Sequence, residues 1–448
     1  MKKFVVLILT LINFLALNAD EGLTIVAVGK ANVEKDKVTF VASSIPSNAT
    51  STEKKMIDEV MALLKNNFAF YKQSFEVVTP GPYGTSLASR DYSSLKARGL
   101  RFFGLASFEK GMANSLNMGL ELYDVREEKK VESVRVELKL TDLRERAHEA
   151  ADVLYQKLMG KQSIFRSKVV FVSDRDSTSN TDVKELYIMD FDGRNPKRLT
   201  FHKGTVISPA FSFDGKKVLY SLIKNTRSKH RNVNLYVMDI DSRKSRKLSS
   251  KKGINSGAVF MPDNEHIALT MSHQGNAELY ALNLKSGASR RITKHSAPDV
   301  DPSINVSGTK MAFLSGRSGA GKPMIYIGDP RSLEKDIKRI SYVGKFNATP
   351  RFSPDGSQIA FSSWLDNRFD IFKIDDNGDN LHRLTKDFGS NEDPTYSNDG
   401  QFIAFSSQRV LSRTKAVQNI YIMTHEGEIL GQITKNFGNC STPRWSKY

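Results

Sequence analysis

The sequence predicts two domains: a small N-terminal α/β domain, then a six-bladed β-propeller that fills the C-terminal two-thirds and is closed by the C-terminal strand. Three observations predict it. A four-strand unit recurs about every 45 residues from residue 169 onward, which is the period of a propeller blade. Two of its sequence marks occur six times, and its opening turn five times. The opening strand missing from the first unit reappears at the end of the chain.

Along the chain, residues 1–19 read as a secretion signal. Lys2 and Lys3 give a positive start, and residues 4–17 are apolar except for Thr10 and Asn13. Cleavage is expected near Ala19. The competing reading is a membrane anchor, but the run is short for a span of about 20 residues.

Residues 20–160 are expected to form the α/β domain. Residues 23–28 read as a strand. Residues 52–70 carry Met56, Val60, Leu63, Leu64 and Phe68 at helical spacing, with Ser51 as the expected N-cap. A short strand at 75–78 is stopped by Pro80-Gly81-Pro82. A short helix at 92–98 and a strand at 101–106 follow, then a hairpin of 117–125 with 131–140 around a charged turn. Residues 143–159 form a closing helix ended by Gly160. Residues 161–167 are a short linker, and the propeller runs from 168 to 448.

Each repeat has three recognisable parts. The first runs into a turn, as in Phe211-Ser212-Phe213-Asp214-Gly215 and Phe352-Ser353-Pro354-Asp355-Gly356. The second begins at Leu186, Leu235, Leu279, Ile325, Ile371 and Ile420. The third is Arg198-Leu199-Thr200, repeated as Arg291-Ile292-Thr293, Arg383-Leu384-Thr385 and their equivalents. Another apolar strand lies between the first and second parts, so each unit has four strands. Gly and Asn in the turns tolerate positive φ. Pro443-Arg444-Trp445-Ser446 matches Pro350-Arg351-Phe352-Ser353, so the C-terminus is expected to supply the inner strand of blade one. That closure pairs edges an open array would expose.

The formal net charge of +17 points to an anionic partner. Export makes nucleic acid a poor candidate. The single cysteine, Cys440, cannot form an internal disulfide and reads as a small buried residue. No catalytic constellation stands out. Residues 316–322 fit the start of a phosphate-binding loop, but Pro323 replaces the required Ser or Thr and a strand follows. Asp375, Asn377 and Asp379 have calcium-loop spacing, but Asn380 and Lys386 occupy positions needing Gly and Glu. The eight histidines show no paired ligand spacing, and no nucleophile elbow is present. No metal or cofactor is expected.

The loops that enter the inner strands remain. They hold Ser208, Asn255, Asp299, Asp301, Asn347, Thr349, Asn391, Asp393, Asn439 and Thr442. Such residues form a broad hydrogen-bonding platform suited to a folded protein, though they also serve ordinary turns.

The order of signal, α/β domain and propeller resembles the TolB family. So do the junction His148-Glu149-Ala150-Ala151-Asp152 to Phe165-Arg166 and repeats such as Leu235-Tyr236-Val237-Met238-Asp239. Met261, Asn264, Asn305 and Val306 depart from its usual turn. The resemblance implies a non-enzymatic, monomeric periplasmic protein of the Tol–Pal system, supporting outer-membrane invagination and integrity. It implies that Pal docks on the channel-mouth loops. It also implies that TolA engages the mature N-terminal segment, here Asp20, Glu21, Gly22, Leu23 and Thr24. Two alternatives stand beside it: a periplasmic hydrolase or lyase acting in the channel, and a binder of anionic glycan or lipid.

Overall fold

The computed structural model describes residues 34–446 apart from 80–91, 113, 180, 225–231, 320–321, 333, 335 and 413–414. The expected signal, the strand at 23–28, the segment 20–24 and the Pro80-Gly81-Pro82 stop lie outside the described residues.

The N-terminal layer has the order β1 (Asp36–Ser44), α1 (Ser51–Phe70), β2 (Phe75–Val77), α2 (Tyr92–Ala97), β3 (Phe102–Lys110), β4 (Leu116–Asp124), β5 (Lys129–Leu138) and α3 (Leu143–Met159). Its sheet runs β2-β1-β3-β4-β5. β1 is parallel to β2 and β3, and the rest is an antiparallel meander. The sequence reading had no strand at β1, whose Asp36 and Lys37 lead into Val38-Thr39-Phe40-Val41 without clean alternation. The cap of α1 also differs from expectation. Thr50, not Ser51, accepts the Glu53 N–H at 3.2 Å, and Glu53 accepts the Thr50 N–H at 2.7 Å. This capping box needs the hydroxyl three residues before the glutamate, which Thr50 satisfies and Ser51 does not. α1 and α3 pack on one sheet face through Phe40, Phe68, Leu120 and Leu154. Leu95 of α2 joins Phe103 and Tyr123 in a separate cluster.

Six four-stranded antiparallel sheets follow. Five are continuous in sequence. In the sixth, strand Cys440–Trp445 pairs with Lys168–Ser173, matching Trp445 to Val169 and Cys440 to Ser173. Trp445 also donates its indole N–H to Ser167 Oγ at 2.7 Å. The inner strands of successive blades touch around the axis, and Cys440–Trp445 contacts both Ser390–Tyr396 and Thr205–Phe211. The expected closure is therefore present.

The Arg-Leu-Thr mark has a structural role. In blade three Thr293 donates to buried Glu278 at 2.7 Å and accepts the Leu279 N–H at 2.9 Å. Arg291 binds the same carboxylate at 2.8 Å and the Thr293 carbonyl at 2.7 Å. Blades one and five repeat this with Glu185–Thr200–Arg198 and Asp370–Thr385–Arg383. A buried carboxylate is tolerated because it is paired and hydrogen-bonded. The motif thus ties the outer strand to the third strand. The turn departures also fit: Asn264 takes φ +54°, the left-handed conformation its Gly counterparts adopt.

Residues 316–322 join strands Met311–Ser315 and Met324–Gly328, as expected of a hairpin. Asn377 binds Asp379 and Asn380 binds Asp375, each at 2.7 Å, within an ordinary turn.

Candidate functional site: the channel mouth

In every blade the inner strand begins where the second strand ends. In blade five Asn347 pairs with Ser363 and Phe352 with Ile359. The loop entering each inner strand and the hairpin between second and third strands therefore share one end of the propeller. The N-terminal layer occupies the other end. Tyr71 donates to Asp399 at 2.7 Å and accepts the Ile164 N–H at 2.9 Å. Gln401 donates to Tyr155 at 3.1 Å, and Arg144 pairs with Asp192 at 2.8 Å. Lys72 pairs with Glu428 at 2.8 Å. Asp192, Asp399, Gln401 and Glu428 all belong to turns remote from the entering loops. The mouth end is left open by this layer.

The mouth is built from one repeated backbone device. Ser208, Gly257, Asp301, Thr349, Asp393 and Thr442 hold equivalent places on the six inner strands, and all have φ between +49° and +60°. Each lies at a register shift in the pairing with the second strand. The kink is a β-bulge that re-aims the strand around the axis, and proline follows it in every blade but the third.

The ten predicted site residues divide into two groups. Asn255, Asp299, Asn347 and Asn391 are buried and do not form a surface platform. Each sits at or next to the start of an inner strand, where its side chain satisfies loop backbone or blade polar groups. Asn255 donates to the Val233 and Lys251 carbonyls, and Asn347 to the Val343 carbonyl at 2.9 Å. Asp299 receives Arg317 at 2.6 Å, and Asn391 reaches Asp370 at 3.3 Å. Ser208, Asp301, Thr349, Asp393 and Thr442 are half-buried bulge residues, and Asn439 is exposed, bound to Asp174 at 2.7 Å.

Asp301, Arg351, Asp393 and Arg444 form a charged group on the inner strands of blades four, five, six and one. Arg351 binds Asp301 at 3.0 Å. Burial raises the Asp393 carboxyl, against the pull of Arg444 and Arg351. Burial and repulsion from Arg351 bring the Arg444 guanidinium down to about 9. The neighbouring Glu392 is pushed up to about 7, first by burial and then by Asp393. Among the described residues no cluster of His, Cys, Asp and Glu could hold a metal ion.

Sequence reasoning missed the apolar and basic components of the mouth. Phe201 and Tyr342 are 68% and 69% exposed, lying under Arg198 and Arg339 at 4.4 and 4.2 Å. Both follow a Leu-Thr or Ile-Ser step directly, so aligning the loops rather than the strands could have found them.

No helix among the described residues is long and apolar enough to cross a membrane. The crystal structure of TolB from Acinetobacter baumannii has the same fold, with a TM-score of 0.76 at 22% identity, over 92% of this chain and 97% of that one. A Tol-Pal system protein TolB from Ruthia magnifica subsp. Calyptogena magnifica is 27% identical over 293 residues, 65% of each chain. A protein TolB homolog from Chlorobium luteolum is 28% identical over 249 residues, 55% of this chain and 53% of that one. The chain thus spans between half and two-thirds of the length of these two relatives. The TolB β-propeller domain family matches residues 155–448, and the chain belongs to that family.

Proposed function

We propose that this protein is a non-enzymatic interaction component of a Tol–Pal system, working in the periplasm after export. Relatives named as Tol-Pal system proteins support the assignment. On this reading Pal docks at the channel mouth and TolA engages the segment 20–24. The protein then supports outer-membrane invagination and envelope integrity.

One observation carries the choice of surface. Among the described residues the propeller exposes six large apolar side chains, and five of them are at the mouth end: Phe201, Ile254, Tyr342, Val410 and Leu411. Val306 is at the other end. Val410 and Leu411 sit near the tip of the hairpin formed by Phe402–Ser412 and Lys415–Thr424, which runs past the start of its inner strand. Aromatic and aliphatic anchors within a polar rim are the composition of a docking surface. Ser208, Asp301, Thr349, Asp393, Asn439 and Thr442 would line the contact. Asn255, Asp299, Asn347 and Asn391 would hold its loops in shape.

The test is calorimetric binding of the Pal protein from the same genome, made without its lipid anchor. The double variant Phe201→Ala/Tyr342→Ala should bind about 30-fold or more weakly, since buried aromatic anchors carry on the order of 2 kcal/mol each. Unchanged affinity in a folded double variant would remove the mouth from consideration.

A further inference from the structure

The geometry points to the partner's chemistry: the mouth recognises an acidic protein surface seated on a ring of lysines. This deepens the docking reading above and rests on it. All six loops entering the inner strands carry exposed lysine, namely Lys203, Lys251 with Lys252, Lys294, Lys345, Lys386 and Lys435. The same loops hold one carboxylate, Asp387, which pairs with Arg368 at 2.9 Å. Glu334 approaches this end from a longer turn, where it takes Arg317 at 2.7 Å and the Lys294 N–H at 2.6 Å.

One set of connections at the opposite end leans the other way. The turns between first and second strands hold Asp214, Asp263, Glu265, Asp355 and Asp399 against Lys216 and Lys310. Between these two sets of connections the charge is therefore polarised along the propeller axis; the hairpins between second and third strands at the mouth add Asp174, Asp176, Asp182 and Asp366 beside Arg175, Lys184, Lys224, Arg317 and Lys322. Like charges spaced around one opening repel, and an anionic surface laid over them relieves that repulsion and steers its own approach.

Two features favour a protein over a membrane. The exposed apolar residues are spread over separate loops and one projecting hairpin, whereas a lipid-binding surface presents a continuous apolar face. The interior of the mouth holds Asp301, Asp393 and Glu392 inside the lysine ring. A folded partner can set its acidic groups on the rim and different groups at the centre. A sheet of lipid phosphates presents one sign everywhere.

The experiment measures binding of the mature full-length protein to poly-L-glutamate and, separately, to phosphatidylglycerol vesicles. One variant carries Lys252→Glu, Lys345→Glu and Lys435→Glu at the mouth. A second carries Lys216→Glu, Lys244→Glu and Lys285→Glu, exposed at the opposite end, with the same change in net charge. At about 50 mM salt, where exposed charges are weakly screened, the mouth variant should bind poly-L-glutamate about tenfold more weakly. The opposite-end variant should lose less than about twofold. Equal losses in the two variants, or retention of the protein by vesicles but not by poly-L-glutamate, would overturn the inference. Phe201→Ala/Tyr342→Ala should keep poly-L-glutamate binding while losing Pal. If that variant loses Pal but the lysine variant keeps Pal at full affinity, the docking reading survives and the acidic-surface inference fails.

Discussion

At the scale of single residues, the mouth is where side chains sit least comfortably. Thr349 and Thr442 are β-branched yet left-handed, a conformation that costs such residues on the order of 1–2 kcal/mol. Glu392 is a carboxyl placed where burial and Asp393 both oppose its charge. Its folded-state value of about 7 lies above the ordinary 4.5. The folded protein therefore binds the proton more tightly than the unfolded chain between those values, and stability falls as pH rises through that window. Glu392→Gln should abolish this fall. In denaturant titrations, native and variant proteins should be similar near pH 4.5, and the variant more stable at pH 8 by about 2–3 kcal/mol. Parallel stability profiles would show that Glu392 ionises normally.

At the scale of the element, the repeat is explained by hydrogen-bond accounting rather than by ligand chemistry. Each outer strand has two to five residues, too few to hold itself by ladder bonds alone. In blades one, three and five the Thr and Arg of the third sequence mark compensate by gripping a buried carboxylate in the third strand, while in blades two, four and six the hydroxyl of the mark bonds Asn255, Asn347 or Asn419 instead. Thr293→Val keeps the shape of the side chain but strands the Leu279 N–H and removes a donor from Glu278. A loss of about 2–4 kcal/mol is expected by chemical denaturation, because a buried partner left unpaired costs its full desolvation. A loss under about 0.5 kcal/mol would mean that the knot is incidental. These marks were legible in the sequence as a period, but their role was not, because Glu278 and Thr293 meet through the pairing of two strands. The bulges were less legible still. Ser208, Asp301 and Thr349 were visible as polar loop residues, whereas their shared left-handed backbone emerges from strand register.

At the scale of the whole molecule, one apolar cluster runs from the N-terminal layer into blades six and one. It joins Phe68, Tyr155 and Phe165 to Phe191, Phe402 and Trp445. Ring closure and attachment of the N-terminal layer therefore share a core. Trp445→Ala should cost about 3–5 kcal/mol. Hydrogen exchange should show the loss first in Val170 and Val172 of the strand it pairs beside, while Leu269 in blade three stays protected. Uniform loss of protection in all blades would indicate one cooperative unit instead. The same arrangement gives the molecule its polarity. One end of the propeller carries the N-terminal layer, seated on blades six and one, and the other carries the exposed aromatic side chains and the lysine ring.

The sequence by itself determined the number of blades, the closure by the last strand and the helices α1 and α3. These follow from periodicity and turn chemistry, which are local and repeat six times. It did not determine which of the polar loop residues face solvent. Asn255, Asp299, Asn347 and Asn391 look like Ser208 and Asn439 in composition, yet packing of neighbouring blades buries the former group and leaves the latter accessible. The tertiary structure also decided that the lysines, scattered along the sequence from Lys203 to Lys435, encircle one opening. Only closing six sheets around an axis brings such distant charges to the same rim.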